Sequence, residues 1–159
     1  MGDPRWLDDT EQRAWRSLIQ MIGLIEAAIS RDLAQDRLSL ADYHVLARLS
    51  EAAEGRMRVS ELADSIHWSK SRLSHQLSRM EGRGLICRHN CPSDARGTFA
   101  VVTEAGMEAI RAAAPGHVES IRRHLLERLT REQINALAEI CESVLRDLPP
   151  CPSEAEASQ

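Results

Sequence analysis

The polar residues between positions 69 and 79 are the side chains of this sequence best suited to bind another molecule. Hydroxyl groups and cations bond phosphate oxygens, a glutamine can pair in bidentate fashion with adenine, and an arginine can do so with guanine. Within about three helical turns the chain offers Ser69, Lys70, Ser71, Arg72, His75, Gln76 and Arg79. The simpler alternative for each is a solvated surface residue, and for Ser69 a helix cap.

A short helix must present these residues, and the apolar pattern predicts one over 70–83 with Ser69 as its N-cap. The expected buried side of this helix consists of Leu73, Leu77 and Met80. A shorter helix is predicted over 59–66, capped by Ser60, and the break 67–69 separates the two. Two short helices joined by a tight turn form a helix-turn-helix.

A β-hairpin is predicted directly after these helices. Two strand-like runs, 85–88 and 98–102, enclose a segment rich in Asn, Pro, Asp and Gly over 89–97. A hairpin that follows a helix-turn-helix makes the unit a winged helix.

Amphipathic helices flank this unit on both sides. Apolar stripes predict helices over 8–34 and 39–52 before it. After it they predict a helix from 103 to about 129, with a kink or break at Pro115-Gly116, and a last helix over 130–148 opened by a capping box. The predicted fold class is therefore mainly α.

The distribution of charge favours a nucleic-acid partner, although the total does not. The chain has 20 basic and 24 acidic residues, a net charge of −4, and phosphate-binding proteins are usually basic. Residues 1–55 and 101–159 each carry a net charge of −4, whereas residues 56–100 carry +4. Because a local basic patch governs phosphate contact, the predicted winged helix is the candidate DNA-binding surface.

The order and spacing of several short motifs resemble those of the MarR family of bacterial winged-helix regulators over about residues 10–148. The segments that carry the resemblance are Val59-Ser-Glu-Leu-Ala63, Ser69-Lys-Ser-Arg-Leu-Ser74, Arg79-Met-Glu-Gly-Arg-Gly-Leu-Ile86, Asp94-Ala-Arg-Gly97 and Val102-Thr-Glu-Ala-Gly106.

The resemblance implies a homodimer in which the flanking helices form the dimerisation domain. Residues 1–34 and 103–148 would build that domain, residues 39–102 would form the winged helix-turn-helix, and 149–159 would be a disordered tail. The implied function is that of a repressor that binds a pseudo-palindromic operator in double-stranded DNA. A small aromatic or phenolic ligand would release it.

The resemblance also assigns residues to the wing and to a ligand cleft. Arg96 would enter the minor groove, and Asp94 would support the wing by pairing with Arg96 or Arg83. We expect Arg96→Ala to weaken operator binding. Residues that could line a ligand cleft are Trp15, Arg16, Tyr43 and His44.

Cys87 and Cys91 give a second hypothesis, a thiol-based redox sensor. Arg88 and His89 could lower a thiol pKa, although a small hydrophobic residue is the favoured interpretation of Cys87. A zinc site is not expected, because a second cysteine pair is missing. We find no catalytic motif and expect neither an enzyme nor a cofactor. With no signal peptide and no run of 18 apolar residues, a cytoplasmic protein without membrane association is expected.

Overall fold

The computed structural model describes residues 4–91 and 94–148, with the backbone alone described for 90, 91 and 94–96. Within these ranges the chain forms six α-helices and three β-strands. The helices are α1 (Asp9–Leu33), α2 (Leu40–Glu51), α3 (Val59–Ser65), α4 (Lys70–Gly82), α5 (Glu104–His124) and α6 (Arg131–Asp147). The strands are β1 (Arg56–Arg58), β2 (Ile86–Cys91) and β3 (Asp94–Val102). The mainly α fold class is confirmed.

Side chains that cap the helices explain where most of them begin. Ser39, Ser69, Thr103 and Thr130 each accept a hydrogen bond from a backbone N–H group in the first turn of α2, α4, α5 and α6. The cap at Ser69 and the capping box that opens α6 are the predicted ones, and each of the four caps satisfies an N–H group that has no partner within its helix. The expected cap Ser60 is wrong, because α3 begins one residue before it and Arg58 occupies the N-cap position.

Helix α5 is continuous through Pro115, so the expected break is absent. Proline has no N–H group to donate to the carbonyl four residues earlier, which normally weakens a helix. Pro115 and Gly116 are both exposed, and water can therefore bond the carbonyl that loses its partner. The helix ends at His124, before the predicted end near residue 129, and a single 3-10 turn follows at Leu126–Arg128.

The sheet has three antiparallel strands in the order β1-β3-β2. Met57 of β1 lies opposite Ala100, and Cys87 of β2 lies opposite Val101. The strands extend beyond the two predicted runs into 89–91 and 94–97, because a ladder of backbone hydrogen bonds does not require apolar side chains. The three-residue β1 was not predicted.

The hydrophobic core lies between the helix-turn-helix, the sheet and the inner ends of α1 and α5. Each fully buried leucine there contributes about 1.5–3 kcal/mol relative to an exposed one. The largest buried side chains include Leu33, Leu46, Leu49, Leu62, Leu73, Leu77, Met80 and Ile86. The predicted buried side of α4 is therefore confirmed.

Large apolar side chains on α1, α5 and α6 remain exposed. They are Trp15, Leu18, Ile19, Ile22, Leu24, Val118, Ile140, Val144 and Leu145. No residue of α6 is buried, although this helix has a clear apolar stripe. Contiguous apolar surfaces of this kind mark interaction sites in soluble proteins. In the described residues no helix is both long enough and apolar enough to cross a membrane.

Candidate nucleic-acid interface

Helix α4 presents a cationic, hydroxyl-bearing surface at its N-terminal end. Ser69 Oγ accepts the N–H of Arg72 at 3.2 Å and fixes the first turn. The exposed residues on this helix and its cap include six of the predicted candidates, namely Ser69, Lys70, Ser71, Arg72, His75 and Arg79. Because the opposite face is anchored in the core, these side chains are held outward on a rigid element.

Trp68 lies behind Arg72 in the turn between α3 and α4. The guanidinium carbon of Arg72 is 4.1 Å from the centre of the Trp68 ring, a cation–π arrangement. The backbone N–H of Trp68 donates to the carbonyl of Ala63 at 2.9 Å, which holds the turn against α3. Trp68 was not among the residues predicted to serve the interface. A tryptophan beside an N-cap and four residues before an arginine was the available signal.

Gln76 does not face outward with the other candidates. Its side chain is only 2% exposed, and its Nε2 donates to Asp42 Oδ1 of α2 at 2.7 Å. The Gln76 Oε1 atom accepts a hydrogen bond from Nη2 of Arg79. Direct pairing of Gln76 with adenine is therefore ruled out in this conformation, because its amide is buried and already bonded inside the protein.

Arg83 contacts α2 and the segment before it. Its Nη1 lies 2.7 Å from Asp42 Oδ2, and its Nη2 donates to the carbonyl of Arg37. Burial alone would raise the pKa of Asp42, but hydrogen bonds from Ser39 and Arg83 outweigh it and hold that pKa below its ordinary value. These contacts join Arg83 to α2, and its predicted pairing with Asp94 remains a prediction.

The side chains of Asp94 and Arg96 lie outside the described residues. Their predicted roles in supporting the wing and contacting the minor groove remain predictions.

Glu81 anchors the base of the wing to α4. Nε and Nη2 of Arg88 donate to Glu81 Oε2 at 2.9 and 2.7 Å, and the Arg88 N–H donates to Glu81 Oε1 at 3.1 Å. The hydrogen bond from the Arg88 side chain lowers the pKa of Glu81, so the carboxylate stays ionised. This support was missed, because the two residues lie seven apart across a turn and share no helix face.

Cys87 is half-buried on β2, and its Sγ lies 3.3 Å from Nε2 of His89. The Cys91 side chain falls outside the described residues, and the redox role of Cys87 and Cys91 remains a prediction. Among the described side chains, no group of three or more histidine, cysteine or carboxylate residues is arranged to hold a metal ion.

The residues predicted to line a ligand cleft have different neighbours. The Tyr43 ring packs on His117 of α5 at 4.0 Å between centroids, whereas His44 lies edge-on to Trp68 at 6.4 Å. His44 also lines a cavity of about 330 Å³ between α2 and α3. Trp15 and Arg16 are exposed on α1. A single cleft formed by all four residues is therefore not seen within this one chain.

The sequence and the fold of this chain were compared with those of known proteins. Residues 38–98 match the MarR family. The crystal structure of AbsC from Streptomyces coelicolor is 45% identical, covers 90% of this chain and 97% of its own, and superposes with a TM-score of 0.85. Sco3205 from the same organism, solved in complex with DNA, is 40% identical over 96% of both chains with a TM-score of 0.88. Both are described as MarR family transcriptional regulators.

A further relative is also described as a transcriptional regulator. The HTH-type transcriptional regulator YxaD of Bacillus subtilis (strain 168), itself uncharacterized, is 31% identical over 117 residues, which is 72% of this chain and 80% of YxaD. Matches at this identity and coverage extend beyond the winged helix to the flanking helices. The chain belongs to the MarR family of transcriptional regulators.

Proposed function

We propose that this chain is a homodimeric transcriptional repressor that binds a pseudo-palindromic operator through α4 and the wing. The observation that carries the proposal is the exposed face of α4, where Lys70 and Arg72 project from the first turn and Arg79 from the last turn of a helix anchored in the core. A helix of this kind reads base edges in the major groove with its N-terminal half. The complex of Sco3205 with DNA, from a chain 40% identical, supports the proposal.

The exposed apolar faces support a second copy of this chain as the dimer partner. A cavity of about 530 Å³ between α1 and the end of α5 is lined by Met21, Leu24, Ile25, Leu125 and Leu129. The apolar stripe of α6 has no buried residue in one chain. A partner's helices could cover both surfaces, and two-fold symmetry would then place two α4 helices on a pseudo-palindromic site.

A selection experiment tests the DNA-binding proposal. We expect the purified chain to enrich one sequence from a random pool of DNA duplexes. With that duplex, Arg96→Ala should weaken binding and lower the slope of log affinity against log salt by about one, because one phosphate or groove contact is lost. Recovery of no preferred sequence would contradict the proposed function. An unchanged salt slope would remove Arg96 from the interface.

Trp68→Leu should weaken operator binding by about fivefold while the core remains folded. Leucine keeps an apolar side chain in the turn but removes the ring face under Arg72, a contact of about 0.5–1 kcal/mol at an exposed site. Affinity for the selected duplex measures the effect. Trp68→Phe is the matched control, since it retains a ring face and should lose less affinity. Equal losses of affinity in both variants would mean that the contact between the ring and Arg72 does not contribute to operator binding.

We also propose that a small aromatic ligand controls DNA binding. The Tyr43–His117 contact joins α2 to α5, and His117 Nδ1 is buried without a hydrogen-bond partner among the described residues. Burial lowers the pKa of His117, so a neutral imidazole is available to a ligand hydroxyl.

Two solved structures of the same fold contain aromatic ligands. CouR from Rhodococcus jostii RHA1 was solved bound to p-coumaroyl-CoA, and RdhR-CbdbA1625 was solved in its 2,4-dichlorophenol bound form. In this chain, a ligand between α2 and α5 would favour a dimer whose α4 helices are wrongly spaced for adjacent major grooves.

A further inference from the structure

We propose that Asp42 and Gln76 are positioning residues for DNA sequence discrimination, because they form a buried relay that fixes the guanidinium of Arg79. This inference rests on the proposed function in one respect, namely that Arg79 meets the DNA. Asp42 and Gln76 lie behind the interface and reach it only through the hydrogen bond of Gln76 with Arg79. It begins in α2 and ends on the exposed face of α4.

Asp42 is the fixed end of the relay. It is the third residue of α2 and only 3% exposed. Its Oδ2 accepts the N–H of Ser39 at 2.9 Å and Nη1 of Arg83 at 2.7 Å, and its Oδ1 accepts Nε2 of Gln76 at 2.7 Å. Both carboxylate oxygens are therefore occupied by donors from three different parts of the chain, so the position and charge of Asp42 are well defined.

The chemistry of the three groups allows only one orientation of the Gln76 amide. An ionised carboxylate can only accept hydrogen bonds, and a guanidinium can only donate them. The NH₂ of Gln76 must therefore face Asp42, which turns Oε1 toward Arg79, where it accepts Nη2. A flipped amide would place oxygen against oxygen and NH₂ against guanidinium. Asp42 consequently determines which atom of the Gln76 amide faces Arg79.

A neutral amide holds Arg79 without cancelling its charge. No ion pair of Arg79 with a carboxylate is found in the part of the chain that the structure describes. One of its five N–H donors is used by Gln76, which leaves the others for a base or phosphate. An arginine that is already ordered loses less conformational freedom on binding and adapts less easily to a wrong base. The relay would therefore act on discrimination more than on affinity.

A double-mutant cycle tests the relay. The probes are the duplex selected by the wild-type chain and the same duplex with single base-pair changes in the half-site. Discrimination is the ratio of the affinity for the selected duplex to that for an altered duplex. We expect Gln76→Met to lower this ratio by about tenfold, the scale of one bidentate base contact. In an Arg79→Ala background the same substitution should change discrimination by less than about twofold, because its effect passes through Arg79.

Leu77→Met is the matched control. Leu77 is the neighbouring buried residue of α4, and a volume-conserving change there perturbs the core without touching the relay. We expect it to leave discrimination unchanged. Equal effects of Gln76→Met with and without Arg79, or no effect in either background, would overturn the inference. A wild-type chain that selects no duplex would instead contradict the proposed function.

A measurement on the wild-type chain keeps the inference testable if Gln76→Met does not fold. Nuclear magnetic resonance of arginine side chains reports how fast each guanidinium rotates. In the free protein, the Arg79 guanidinium should rotate more slowly than that of Arg111, which is exposed on α5. Equal rotation rates would show that the relay does not order Arg79, and would overturn the inference.

Discussion

Replacing Gly106 with alanine is expected to destabilise the folded chain by about 3 kcal/mol, near the upper end for overpacking a core. Gly106 is buried in the first turn of α5, where an added Cβ would lie 2.0 Å from the carbonyl oxygen of Leu85 and 2.9 Å from Cγ2 of Val102. The Leu85 carbonyl cannot easily move, because it accepts the N–H of Thr103 at 3.1 Å. The clash therefore falls on backbone that joins α5 to the sheet.

Gly82→Ala is the control for the Gly106 experiment. Gly82 is the last residue of α4, and no atom lies within 4 Å of the position its Cβ would take. Alanine there should be neutral or stabilise the helix by up to about 1 kcal/mol. Urea denaturation at one fixed protein concentration gives both free energies of unfolding. A Gly106→Ala variant as stable as wild type would mean that α5 can shift relative to β2.

The helices and most of their caps could be predicted because both depend on local sequence. Ser39, Ser69, Thr103 and Thr130 each bond an N–H group within three residues, so a pattern a few residues long contains the whole interaction. The strand β1 could not be predicted in this way. It has three residues, and the strand that it pairs with, β3, lies about 40 positions later.

The polar contacts that organise the interface were harder to predict because they join distant parts of the chain. Asp42 meets residues 34 and 41 positions away, and no local pattern indicates such pairs. The burial of Gln76 did have a signal. It lies three residues after Leu73 and four before Met80, on the apolar stripe of α4, so its position outweighed its polar type.

Replacing Ile140 and Val144 of α6 with glutamate is expected to convert the proposed dimer to a monomer and to lower operator affinity by at least about 100-fold, because two linked half-site contacts become one. Both side chains are more than half exposed in the single chain, at 61% and 55%. The substitutions should therefore leave the monomer folded and act only where a second copy would cover α6.

A salt series distinguishes the effect of these substitutions on dimerisation from their effect on DNA binding. The flanking segments 1–55 and 101–159 each carry a net charge of −4, and salt screens the repulsion between them, so we expect the proposed apolar association not to weaken as salt rises. Light scattering over a salt series measures the assembly, and operator titration measures binding. The control variant carries Asn135→Glu and Ser143→Glu, which add the same two charges to the polar face of α6. It should leave both the assembly and the operator affinity unchanged. If the chain with Ile140→Glu and Val144→Glu still forms dimers, the dimer interface lies away from α6. The two winged helices would then need a different spacing on the operator.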